Sequence, residues 1–269
     1  MDDLAWLPAS TTSVTLMRPG QIALLETFGG ALGGRGAACW REIERGVRAG
    51  YQIQMEVGRS FHAMHAPVDR DAVERCVESA FPRGHLLHAR KVRDGEVTRF
   101  DTDGLGTAVL WWRGGGWVIV GTAEQVAGAR AATGSLASSP CMSRLLPELP
   151  ATPIALARCD AFFDNVLGVP THGWLLGIAV ERDVGMDGQV TVLYASPAEA
   201  VKAAGVMTSR SFPALVPPPI RDFLGGLPAL TEGARLNIGI HMTRADLDKV
   251  DVAALQKMAE NFKANQAAP

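Results

Sequence analysis

Two tight turns set between β-prone runs constrain this chain more than any other feature. Arg93-Asp94-Gly95 separates His85–Val92 from Glu96–Asp101, and Arg113-Gly114-Gly115-Gly116 separates Thr107–Trp112 from Trp117–Gly121. An Asp-Gly step supplies the left-handed backbone that short hairpins need, so each pair reads as two antiparallel strands. Helical patterns flank them. Asp69 is placed to cap Arg70–Ala80, where Ala72, Val73, Cys76, Val77 and Ala80 recur at helical spacing. Thr122 and Gln125 make a capping box for the helix after Gly121. Hairpins set between helices predict an α+β fold with mostly antiparallel sheets.

The second half of the chain repeats this grammar. Pro153–Arg158 reads as a strand, Ala161–Leu167 as a helix, and Trp174–Arg182 and Gln189–Ala195 as strands. Ser196-Pro197-Ala198-Glu199 opens a helix with a capping box, and Arg235–Met242 is the last long strand. Short matches link the halves in order. Leu7-Pro8-Ala9-Ser10 is answered by Leu149-Pro150-Ala151-Thr152, and Val14, Leu16 and Arg18 by Ile154, Leu156 and Arg158. Asp71-Ala72-Val73-Glu74 is answered by Glu199-Ala200-Val201-Lys202, and Trp117–Gly121 with Thr122 by Ile238–Met242 with Thr243. The shared order predicts an internal duplication: two related halves, 1–149 and 150–269, each a mostly antiparallel sheet packed with helices.

Composition narrows the function classes. The 269 residues are 47% hydrophobic and 20% charged, enough for a sizeable core and unlike a disordered or coiled-coil chain. Lys+Arg 26 against Asp+Glu 28 gives a net charge of −2, which marks neither a nucleic-acid binder nor a polybasic membrane binder. No run approaches the roughly 18 apolar residues that span a bilayer. The opening Met1–Trp6 has no basic or apolar signal-peptide region, leaving a cytosolic protein or the mature part of an exported one.

The metal candidates are His62 with His65 and His85 with His88. Each pair is spaced i, i+3 on an expected strand, so its members point to opposite faces and cannot chelate together. Gly29–Gly36 lacks the Gly-Lys-Ser/Thr of a phosphate loop, and Asp101-Thr102-Asp103-Gly104 lacks the later glutamate of a calcium loop. Neither HExxH, GxSxG nor CxxC occurs. The expectation is no metal, no cofactor and no catalytic set. Trp111, Trp112 and Trp117 flank the glycine turn; adjacent Trp111 and Trp112 must face opposite sides, and these tryptophans mark the interaction surface to look for.

The opening Leu-Pro-Ala-Ser-Thr resembles that of bacterial envelope proteins of unknown function, many made as lipoproteins or with signal sequences. So does the central run: Trp117–Val126, then Ser135-Leu136-Ala137-Ser138-Ser139-Pro140, then Leu145-Leu146-Pro147-Glu148-Leu149-Pro150. The resemblance implies a periplasmic or outer-membrane-anchored protein, reaching the membrane only through a lipid anchor, with the cytoplasm as the alternative. It also implies an oxidising compartment, in which the four cysteines would pair as Cys39–Cys76 and Cys141–Cys159. Cys39 and Cys76 lie on expected helices of one half, whereas Cys141–Cys159 would staple the halves together. The bland reading is four small buried hydrophobes. The resulting expectation is a non-catalytic binding or assembly protein whose partner is an envelope protein or ligand. The alternatives are an enzyme with a dispersed site, hydrolytic or metal-dependent, between the halves, or a cytosolic scaffold subunit.

Overall fold

The computed structural model describes Leu4 and residues 6–18, 48–55, 59–65, 69–80, 89–102, 106–131, 135–181, 185–214 and 216–247. Its strands are β1 (Thr11–Met17), β2 (Ala49–Met55), β3 (Arg59–His65), β4 (Ala89–Asp94), β5 (Val97–Thr102) and β6 (Gly106–Arg113). They continue as β7 (Trp117–Thr122), β8 (Ile154–Arg158), β9 (Trp174–Glu181), β10 (Gly185–Leu193), β11 (Ala229–Glu232) and β12 (Arg235–Thr243). The helices are α1 (Arg70–Ala80), α2 (Ala123–Ala131), α3 (Met142–Leu145), α4 (Phe162–Leu167), α5 (Pro197–Ser209), α6 (Pro218–Gly225) and α7 (Arg244–Leu247).

All these strands join one sheet in the order β11-β12-β10-β9-β8-β1-β2-β3-β7-β6-β5-β4, every neighbour antiparallel. The fold is α+β, as the hairpin signals predicted. The turn at Gly95 has φ +54°, the left-handed conformation that glycine adopts without strain. The sheets expected in each half are fused, because β1 pairs β8 from Ser13 opposite Arg158 to Met17 opposite Ile154. Outward from that central pair the order reads β1-β2-β3-β7-β6 on one side and β8-β9-β10-β12-β11 on the other.

Three apolar clusters cover the two faces. On the first face Val14, Ile53 and Phe61 stand in one cross-strand row, and Val14 also faces Ala157, itself opposite Leu175. Val126 and Ala129 of α2, Leu136, and Met142 and Leu145 of α3 close over this central core. Side chains such as Phe61 and Ile53, at most 1% exposed, each contribute roughly 1.5–3 kcal/mol by leaving water. The second face carries two cores, one toward each end of the sheet. Val73, Cys76 and Val77 of α1 pack on Met64, Leu110 and Val118. Phe163 and Val166 of α4, Ala200, Ala203 and Met207 of α5, and Leu224 of α6 pack with Trp174, Val190, Val192, Leu236 and Ile238.

One strand escaped the sequence reading, one residue match fails, and some expectations fall outside the described residues. The strand Ala229–Glu232 was not expected, because it is an edge strand with Leu230 74% exposed and no buried alternation to reveal it. The residue match of Val14 to Ile154 fails in register. Val14 lies opposite Ala157, so Ile154, three residues away on the same strand, points to the other face. The expected strand His85–Val92 is described only from Ala89, and His85, His88, Cys39 and Gly29–Gly36 lie outside the described residues.

Candidate functional site

A cleft lies where the segment between α2 and β8 meets the β8–α4–β9 connection. Its volume is about 420 Å³, and its walls include Cys141, Arg144, Cys159, Asp160, Asp164 and His172. Cys141 and Cys159 form a disulfide with Cα atoms 6.0 Å apart. Cys141 begins the α3 turn, and Cys159 follows the last residue of β8, where its backbone N–H donates to Thr12 O at 2.9 Å. Both cysteines are half-buried against the central core. The bridge therefore ties the joining segment to the sheet, the pairing expected from the sequence.

Gly173 makes this packing possible. Its φ is +114°, and a Cβ there would lie 2.7 Å from Arg158 O and 2.9 Å from both Cys141 Sγ and Leu145 Cδ1. No larger residue fits without moving the backbone or the bridge.

The two carboxylates serve the local backbone. Asp160 Oδ1 accepts from Phe162 N at 3.2 Å and from Trp174 Nε1 at 2.9 Å, while Oδ2 pairs with Arg158. Asp164 Oδ1 accepts from Thr171 N at 3.1 Å and Thr171 Oγ1 at 2.6 Å. Burial, with the Asp164 charge adding to it, pushes the Tyr194 phenol well above its ordinary pKa. The Tyr194 hydroxyl has no hydrogen-bond partner among the described residues. Arg144 and His172 are exposed at the cleft, and Arg144 has no side-chain hydrogen bond or ion pair among the described residues.

The other sequence candidates are dispersed. His62 is exposed on the second face. His65 lies on the opposite face, stacked on Trp117 at 4.7 Å with Nε2 3.2 Å from Gly115 O. Among the described residues no group of three or more His, Cys, Asp or Glu side chains converges where it could hold a metal ion.

Trp117 is 5% exposed within the central core, so it offers no surface. Trp111 and Trp112 are half-buried on opposite faces. Trp111 packs on the central core with Arg130 5.8 Å from its ring, whereas Trp112 donates to Thr98 Oγ1 at 3.3 Å beneath Arg70. Sequence reading missed the exposed pair of His241 Nδ1 with Asp187 Oδ1 at 2.7 Å, because only strand register places those residues opposite each other. Cys76, fully buried in α1, is disulfide-bonded, and its expected partner Cys39 lies outside the described residues.

Among the described residues no helix is long and apolar enough to cross a membrane. No protein family and no curated protein matches the chain. Among solved structures it is similar to TP0453 in crystal form III, with a TM-score of 0.51 at 12% identity over 88% of this chain and 93% of that one. Crystal form I of the same protein gives 0.49 at 12% identity over 91% and 94%. What this chain shares with TP0453, at that identity, is its fold.

Proposed function

We propose that this chain is a non-catalytic protein of the bacterial cell envelope that binds or assembles with another envelope component. The observation that carries the reading is the Cys141–Cys159 disulfide. Such bonds persist in oxidising spaces such as the periplasm and are rare in the cytosol. The resemblance of the opening and central runs to envelope proteins supports the same compartment. Trp111 is the proposed contact point: a half-buried indole flanked by Arg130 and by Glu96 Oε2 at 3.4 Å presents apolar area with charge beside it.

The proposal includes two related halves. Their support is the matching strand order outward from β1 and β8. Helices α1 and α5 each follow the third strand of a half and lie on the same face of the sheet. β7 and β12 each run into a reciprocal cap, Thr122 with Gln125 and Thr243 with Asp246. On this reading the β4–β5 hairpin is an addition to the first half.

Fractionation of a bacterium expressing the natural gene tests the compartment. The protein is expected in the periplasmic or membrane-anchored fraction, and recovery in the cytosol would overturn the reading. A photo-crosslinking residue at position 111 should then yield a discrete adduct with an envelope component. Its absence in intact cells would remove Trp111 as the contact.

A further inference from the structure

We infer that the Cys141–Cys159 bridge is a thiol–disulfide exchange site, opened by a dithiol reductant that attacks Cys159 and expels Cys141. This goes beyond the envelope reading and needs from it only a compartment that holds such a reductant.

The bridge is open to an incoming thiol. Both cysteines are half-buried and line the cleft of about 420 Å³. Cys76, by contrast, is disulfide-bonded at 0% exposure beneath α1. An incoming thiolate can reach the cleft bridge in the folded protein, whereas the Cys76 sulfur itself is covered.

Charge sets the direction. Arg144 stands three residues after Cys141 in the same turn, with its N–H on the Cys141 carbonyl at 3.0 Å, so the two side chains share one side of α3. Its guanidinium has no acid partner among the described residues and lines the same cleft as the bridge, while the Cys141 sulfur lies 3.2 Å from the His172 carbonyl oxygen, to which the thiol can donate once protonated. Cys159 is flanked by Arg158 and Asp160, which pair with each other and leave no uncompensated cation beside it. Cys141 is therefore the better leaving group.

The step balances. A reductant thiolate forms a bond to Cys159 Sγ, and the electrons of the S–S bond leave on Cys141 Sγ. The second thiolate of the reductant then attacks its own bound sulfur and expels the Cys159 thiolate. The reductant is oxidised by two electrons to its disulfide, and two protons complete the Cys141 and Cys159 thiols. The fold outlasts the bond, because Met142 and Leu145 of α3 remain fully buried in the central core. Reduction loosens the cleft wall without releasing it.

The test uses the folded, oxidised chain and a CxxC oxidoreductase whose resolving cysteine has been replaced. Peptide mapping after alkylation should show the mixed disulfide on Cys159 and a labelled thiol on Cys141. With dithiothreitol alone and no denaturant, Cys141 and Cys159 should become alkylated in the folded protein. Arg144→Gln should slow that reduction about threefold or more, and added salt should shrink the difference. A mixed disulfide mainly on Cys141 would overturn the polarity, as would an Arg144→Gln rate equal to wild type. Reduction of the cleft bridge only in denaturant would overturn the site.

Discussion

Glu74 and Arg93 lock the crossover helix to the outermost hairpin. Glu74 sits on α1 with no exposed side-chain surface, and Arg93 on β4 donates from Nε to its Oε2 at 2.8 Å and from Nη2 to the same oxygen. Arg70 Nε and Thr98 Oγ1 donate to Oε1 at 2.8 and 2.6 Å, and Lys91 Nζ lies 3.6 Å from Oε2. A buried carboxylate is tolerated here because its lone pairs are met by charged or hydroxyl donors.

Removing that carboxylate strands the donors around it. Glu74→Ala should cost about 3–5 kcal/mol, the usual penalty for breaking a buried ion pair from one side. Arg93→Ala should cost less, because its side chain is 45% exposed and water can replace part of what is lost. Urea denaturation of the two variants beside wild type checks the order, and a near-neutral Glu74→Ala would contradict this picture of α1.

The same group sets an acid limit. Burial alone would raise the Glu74 pKa, but hydrogen bonds from Arg93, Thr98 and Arg70 outweigh it and hold the pKa at about 2, against an ordinary 4.5. A carboxylate with a depressed folded pKa stabilises fully above its unfolded pKa and loses that contribution as pH falls through the folded value. The window is therefore about pH 4.5 down to about 2, with on the order of 3 kcal/mol at stake. Glu74→Gln should flatten the stability-against-pH curve across that interval, and an unchanged acid slope would sink the assignment.

Those interactions show where sequence reading reaches its limit. The hairpins at Asp94-Gly95 and Gly114–Gly116, and the Ser196–Glu199 capping box, were legible because their signals are local. The pairing of β1 with β8, which fuses the sheet, was not, since register between distant strands leaves no local mark. Glu74 read as one acidic residue on a helix, because nothing in the order of residues reveals that Arg93 arrives nineteen positions later on the strand beside it. In the cleft the cysteine pair was predicted. Asp160, Asp164, Arg144 and His172 were not, because they are ordinary polar residues until the fold gathers them around the bridge.

Gly173 is a sharp test of the cleft packing. Gly173→Ala should destabilise by about 2 kcal/mol or more, combining a left-handed backbone with a 2.7 Å approach to Arg158 O. Gly95→Ala, at φ +54° with nothing within 4 Å of its added carbon, should cost only about 1 kcal/mol. Thermal unfolding of the two variants separates them, and equal losses would show that the cleft accommodates a side chain.

The cap of α5 gives a fourth prediction. Ser196 Oγ accepts from Glu199 N at 3.3 Å, and Glu199 Oε2 accepts from Ser196 N at 3.1 Å. Ser196→Ala should cost about 1 kcal/mol. Hydrogen exchange should show the first turn of α5 losing protection while β10 keeps it, and uniform loss across both would contradict a local cap.

The proposed envelope role requires an oxidised Cys141–Cys159 bridge. Intact mass of the protein taken from its native compartment, denatured and alkylated without reductant, is the most direct measurement. No adduct is expected at Cys141 or Cys159; alkylation of all four cysteines would overturn the envelope role in favour of the cytosol.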